Sequence, residues 1–162
     1  MIFEFCTMAR RHYEGVDAFA EHLHRFLGAL PPEWRYSVET RNKEYLVKPY
    51  FEVLREHRTA HVFNAWTRMP ELREQLAIDS AYTTDFTIAR ALLRHGRSYE
   101  QAVVQFQPYD RTQEPNPGAR EGLKDLMERA LALGQPALLF VNNRLEGNAP
   151  LTIQAVVDGL SD

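Results

Sequence analysis

Seven residues scattered along the chain have the types and the spacing to do chemistry together: Glu4, Glu39, Arg41, Asn64, Trp66, Arg90 and Asn142. Each lies in or just after a short stretch that reads as a β-strand, where successive side chains point to opposite faces. Phe3 and Phe5 on one face put Glu4 on the other. Tyr36, Val38 and Thr40 on one face put Ser37, Glu39 and Arg41 on the other. Phe63 and Ala65 likewise leave Asn64 and Trp66 together, while Arg90 shares a face with Phe86 and Ile88, and Asn142 with Phe140. Two carboxylates and two guanidiniums on one face would strip each other of water unless they paired. A Glu–Arg network is therefore expected, with bidentate contacts open to each arginine.

Glu39 is the first candidate for a general acid or base, and Glu4 the second. Beside Arg41, a paired Glu39 would have its pKa lowered and be a weak base. Unpaired and desolvated, it would rise toward neutrality, where proton transfer is most effective. Arg41 and Arg90 could hold an anion, and Asn64, Trp66, Asn142 and Asn143 could orient a ligand. The same residues could equally form a structural ion network, since clusters of perturbed charges mark function only statistically. Trp66 could be a stacking platform or plain packing.

Other chemistries find less support. The six histidines are His12, His22, His24, His57, His61 and His95, and none makes a motif such as H-E-x-x-H. His22 and His24 are two apart on a helix and so face differently. No metal is expected on these grounds, and the sequence names no cofactor. Magnesium held by Glu4 and Glu39 alone is opposed by the facing arginines. There is no G-x-S-x-G elbow, and Cys6, the one cysteine, is expected to be a small buried hydrophobe. Gly147-Asn148-Ala149-Pro150 could present helix N–H groups to a phosphate. It also reads as a tight turn and helix start, with Pro150 removing one donor.

The elements that must position these residues alternate. Strands are expected at Met1–Met8, Tyr36–Arg41, Ala60–Trp66, Asp85–Arg90 and Ala137–Asn142. Helices are expected from Val16 to Gly28, Pro49 to His57, Pro70 to Leu76, Ser98 to Phe106, Asn116 to Gly134, and from Pro150 on. Ser98 with Gln101 reads as a capping box. In the fifth of these helices, Leu123, Leu126, Met127, Ala130 and Leu131 share a face. In the last, Ile153, Val156, Val157 and Leu160 do. Five β/α repeats in a row imply an α/β fold, a parallel sheet wrapped by helices. The polar stretch Pro108–Gly118 is expected as a loop over one end of that sheet.

At 162 residues, 44% hydrophobic and 25% charged, the chain has the composition of one globular domain. A net charge of -3 provides no basic field, so nucleic acid is not expected as a partner. No apolar run approaches the roughly 18 residues of a membrane helix, no secretion signal is visible, and a single cysteine suits a reducing cytoplasm.

Several stretches carry a resemblance. Tyr36-Ser37-Val38-Glu39-Thr40-Arg41-Asn42, Asp85-Phe86-Thr87-Ile88-Ala89-Arg90, Phe140-Val141-Asn142-Asn143 with Glu146-Gly147-Asn148-Ala149-Pro150, and Phe3-Glu4-Phe5 resemble, in order and spacing, strand motifs of the YecE-like family, the domain of unknown function 72. His61 to Pro70 resembles one subgroup. The sequence departs from the family at Glu4 and Cys6, at Thr152, and in the stretched Arg90–Gly96 segment. The resemblance implies a (β/α)₈ TIM barrel of which this chain is a part: five parallel strands equivalent to the last five β/α units, in one domain over residues 1–162, with three N-terminal units lacking. Five strands leave two sheet edges with unpaired backbone groups, which invite pairing with another chain. A homo-oligomer formed through those edges is therefore one expectation. The likeness of such barrels to AP endonucleases and sugar isomerases suggests a polar or anionic ligand, phosphorylated or sugar-like, at the C-terminal ends of the strands. Action on nucleic acid, or a truncated chain with no activity of its own, are the alternatives.

Overall fold

The computed structural model of the protein describes residues 1–9 and 12–160. Five strands, β1 (Ile2–Phe5), β2 (Ser37–Thr40), β3 (Ala60–Ala65), β4 (Thr87–Ala91) and β5 (Ala137–Val141), form one sheet whose spatial order is the chain order. All four pairings are parallel. Between and after them run α1 (Val16–Gly28), α2 (Lys48–Glu56), α3 (Leu72–Leu76), α4 (Tyr99–Phe106), α5 (Pro117–Leu133) and α6 (Ala149–Asp158). The fold is α/β, as the alternation of elements implies.

Local chemistry sets the helix ends. Ser98 and Gln101 form the capping box at the start of α4. The Asn116 side chain accepts from the Ala119 N–H to open α5, and Gly134, in the left-handed conformation at φ 62°, closes it. The helix α3 starts at Leu72, two residues later than Pro70, because Glu71 and Glu74 cap it reciprocally. Strand β1 is shorter than the apolar run Met1–Met8. It pairs only with β2 and ends where that register ends, at Phe5↔Thr40.

One face of the sheet carries the core. Val38, Phe63, Ala65, Ala89 and Ala91 pack against Phe19 and Leu23 of α1, Tyr50, Phe51 and Leu54 of α2, Leu72 of α3 and Leu123 and Leu126 of α5. The other face holds a separate cluster of Ala60, Val62, Phe86 and Ile88, with no helix residue in it. Helices on a single face follow when each strand is added beside the last through the usual right-handed crossover. The free face is then the one that a barrel turns inward. His61 belongs to the helix side. It is buried with its Nδ1 3.1 Å from the Tyr50 hydroxyl and its ring edge-on to Phe51 and Phe63, and burial pushes its pKa down to about 3.

Burial falls away from the middle. Every residue of β2 and β3 is buried, whereas β5 is half-buried or exposed along its length. Both edge strands have a single neighbour. This explains two departures from the expected apolar faces. Leu131 on α5 and Ile153 and Val157 on α6 are exposed, and Thr152 and Val156 are the buried residues of α6. Those stripes require something beyond β5 to bury them. Among the described residues, they line instead an apolar cleft of about 350 Å³ between α5, β5 and α6.

Helix α5 approaches α3 closely at Gly122, where an added Cβ would sit 2.6 Å from Leu72 Cβ. Leu72 is itself fully buried and has nowhere to move. Gly122→Ala should therefore destabilise by about 1–3 kcal/mol through overpacking, despite alanine's better helix propensity. Urea unfolding that shows the variant equal to or more stable than the parent would contradict this close packing.

Candidate functional site

Parallel pairing of β1 and β2 sets Glu4 directly beside Glu39 on the helix-free face. Two adjacent carboxylates repel, and two arginines answer them. Arg41, one residue past β2, places Nε 2.7 Å from Glu39 Oε1 and Nη2 3.0 Å from Glu4 Oε1. Arg90, from β4, uses Nη1 alone: it donates to Glu4 Oε2 at 2.6 Å and to Glu39 Oε2. The expected bidentate forks do not form. Each arginine bridges the two carboxylates, and Arg41 Nε faces Glu39 as a charge, without the alignment of a hydrogen bond. The span is informative. Three strand spacings of about 4.8 Å separate β1 from β4, and the long Arg90 and Glu4 side chains close that gap.

The four members are not equivalent. Glu39 is fully buried and the Arg41 side chain is 4% exposed, while those of Arg90 and Glu4 are 24% and 37% exposed. Burial pushes the Glu39 carboxyl above the ordinary glutamate range, outweighing the opposing pull of Arg41 and Arg90. Pairing alone would lower this pKa, and burial reverses the sign. At Glu4 burial also raises the pKa, but the Arg90 hydrogen bond and the two guanidinium charges outweigh it, and the carboxyl is held below its usual range. Two neighbouring carboxylates with pKa values pushed apart are the pattern that lets one hold a proton while the other stays charged.

Trp66 is a platform beneath this network: the Arg41 guanidinium lies 3.8 Å from the centre of its ring. Asn64 sits in register with Arg90. Its Nδ2 donates to the Thr40 carbonyl at 3.1 Å, and its Oδ1 is buried without a protein partner. A residue that sequence reasoning missed fixes it there. Gln75, buried on α3, accepts from the Asn64 N–H at 3.2 Å and donates to the Asn64 carbonyl at 2.7 Å. A glutamine on a short helix gives no sign in the sequence of such a clamp.

The structure thus gathers Glu4, Glu39, Arg41, Trp66 and Arg90 in contact, with Asn64 next in register. It places Asn142 and Asn143 in the turn after β5. There the Asn142 Oδ1 accepts from the Arg144 N–H at 3.0 Å, and the Asn143 Oδ1 accepts from the Ala149 N–H at 2.8 Å. Cys6 is exposed and not a small core residue, because β1 is an edge strand that stops one residue before it.

Two further constellations hold the loops at the C-terminal ends of β4 and β5. Glu146 is fully buried. It accepts from the Asn116 N–H at 2.5 Å, from Arg120 Nε and Nη2 at 2.9 and 2.7 Å, and from the Thr152 hydroxyl at 2.8 Å. Glu114 accepts from Arg94 at 2.5 Å, Arg97 at 2.8 Å and Gln105 at 2.7 Å. Glu146 was visible in the sequence only as part of a motif, because its partners Arg120 and Asn116 lie 26 and 30 residues away. Gly147 beside it adopts φ 111°, and a Cβ there would meet the Arg111 carbonyl at 2.6 Å. This turn is built by glycine and a buried carboxylate, and the Asn148 side chain accepts from the Leu151 N–H to start α6.

Comparison with known proteins gives a family and a fold. Residues 11–162 match the family described as "Protein of unknown function DUF72". A DUF72 family protein from Thermotoga maritima has a similar structure, with a TM-score of 0.63 and 16% sequence identity over 100% of this chain and 58% of its own. One from Enterococcus faecalis gives a TM-score of 0.59 and 11% identity over 99% of this chain and 60% of its own. The chain therefore spans about three-fifths of the length of these solved structures. No curated protein matches it significantly. With the family matched over all but the first ten residues and the fold shared along the chain, the protein belongs to the DUF72 family.

Proposed function

We propose that this chain carries part of a binding site for a polar small molecule at the C-terminal ends of its strands, over the Glu4–Glu39–Arg41–Arg90 network. The observation that supports this most is the combination at one place of a buried, unpartnered Asn64 Oδ1 with a partly exposed Arg90 next in register. A ligand with a hydroxyl to donate and an anionic or carbonyl oxygen to accept would satisfy both. Sugar acids and sugar phosphates have that chemistry. Arg41 is locked between Glu39, Glu4 and Trp66 and supports the site from beneath, whereas Arg90 and Glu4 are the reachable charges. Glu39, raised by burial, is the group suited to exchange a proton with the ligand.

The same reading treats the open edges of β1 and β5 as joining places. Relatives longer by about two-fifths of their length could continue the sheet there with further β/α units, and a second chain could supply the same surface.

The test is a ligand-detected NMR screen of sugar acids, sugar phosphates and mononucleotides against the protein. The expected result is a hit among the sugar derivatives that Asn64→Ala and Arg90→Lys each weaken by about tenfold or more, the loss of one good polar contact. Arg90→Lys keeps the charge that Glu39 needs while removing the planar fork. Hits that bind both variants as tightly as the parent would end this proposal. Hits confined to nucleotides would favour a nucleic-acid ligand.

A further inference from the structure

We infer that His24, Glu56 and His57 form a site for a divalent transition-metal ion of the zinc class, clipping α1 to α2 on the helix side of the sheet. No spacing motif announces it, because His24 and His57 are 33 residues apart. The packing of α1 on α2 brings them together. The His57 Nε2 lies 3.0 Å from the His24 Nδ1, and Glu56 Oε2 lies 3.4 Å from the same nitrogen. Each residue offers one ligand atom within 4.8 Å of the other two. Two ligands about 2.0–2.1 Å from a zinc ion, at angles between square and tetrahedral, stand roughly 2.9–3.4 Å apart. Both spacings from the His24 Nδ1 fall in that range.

Two features point the same way. The rings meet edge-on at 63°, with centroids 4.7 Å apart, and so turn nitrogens toward each other. Gly28, one turn beyond His24, lies against the second ring: a Cβ there would make ordinary contact, 3.4 Å from His57 Cε1. And α1 ends at Gly28 while α2 ends at Glu56, so two helix C-termini converge here. Their partial negative charge favours a cation. Without a metal, the two facing ring nitrogens can share only one proton. A metal ion replaces that proton and satisfies both lone pairs. Two imidazoles with one carboxylate suit zinc, nickel or copper and not magnesium or calcium. The side chains of His24 and Glu56 are 46% and 62% exposed, so an ion can enter from solvent and keep water in its remaining positions.

The experiment is equilibrium dialysis of the purified full chain against Zn²⁺ near neutral pH, with metal read by elemental analysis and affinity by titration calorimetry. Mg²⁺ serves as the control ion. One Zn²⁺ per chain is expected, with no Mg²⁺. His24→Ala and His57→Ala should each weaken binding by about 100-fold or more, since losing a ligand must cost at least what losing a ligand's supporting contact does. Glu56→Gln should weaken it less. His22→Ala, two residues away with its Nδ1 turned to the Ala18 carbonyl, should bind as the parent does. All four positions are exposed or half-buried, so circular dichroism will show whether each variant is folded. Absence of stoichiometric zinc, or zinc held equally well by His24→Ala and His57→Ala, would overturn the assignment.

Discussion

Arg41→Ala should cost the protein about 3 kcal/mol, the low end of the range for breaking a buried ion pair. The loss has a specific source. Glu39 is fully buried, and removing Arg41 leaves it with Arg90 alone while emptying the space over Trp66. Removing the stranded charge should restore much of the stability, so Glu39→Gln combined with Arg41→Ala should be more stable than Arg41→Ala alone. The pH dependence follows in sign. Glu39 has its pKa raised on folding, so the stability linked to it is present in full at low pH and is lost as pH rises through the raised value. Removing Arg41 removes a lowering influence and widens that window. The deficit of Arg41→Ala should therefore shrink as the pH is lowered toward the ordinary glutamate range. Urea titrations across pH check this. A variant within about 1 kcal/mol of the parent, well below the cost of a broken buried pair, would mean that water reaches Glu39.

Glu146→Ala should be at least as damaging, by about 3–5 kcal/mol. Among the described residues, its carboxylate is the acceptor for the Asn116 N–H and for Arg120, and it also takes the Thr152 hydroxyl. Truncation orphans the Asn116 N–H and the Arg120 guanidinium at the start of α5, and each orphaned donor carries its own penalty; the Thr152 hydroxyl keeps the Asn148 carbonyl at 3.0 Å. Burial raises this pKa, but Arg120, the Asn116 N–H and Thr152 outweigh it and the net shift is downward. A lowered pKa contributes stability that is present above the unfolded value and lost as pH falls through the folded one. The parent should therefore lose stability on acidification below about pH 4.3, the ordinary glutamate value, and Glu146→Ala should lose less over that interval. Thermal melts on the two proteins would show it. Parallel acid profiles would exclude Glu146 as the group responsible.

Much of this fold is legible in the residues because its central strands alternate cleanly. Val38, Phe63 and Ala89 mark the helix side, so Glu39, Asn64 and Arg90 must take the other. Period-two geometry leaves no third choice. The helix boundaries were equally plain where a chemical signal exists, as at Ser98, Asn116 and Gly134. The misreadings share a cause. The exposed faces of Leu131, Ile153 and Val157, and the exposed Cys6, all lie at a sheet edge. Periodicity tells which residues share a face, but not whether anything covers that face. Partnership across long separations was the other limit. The Gln75 clamp, the Glu146 hub and the His24–His57 pair depend on packing that no short window contains. The pairing mode of the arginines escaped for a different reason: strand alternation fixes direction but not which oxygen a long side chain reaches.

Because each strand lies beside its predecessor in the chain, no early segment has to wait for a late one before it can dock. Assembly of such a molecule resembles stacking: every β/α unit adds to a surface already formed by the unit before it, and the tie that skips neighbours is Arg90 of β4, which reaches back to Glu39 and Glu4 on β2 and β1. Damage should then stay local. Loosening β5 would fray one end while β1–β3 kept their shape, and the sheet could lengthen at either end without any strand changing partners.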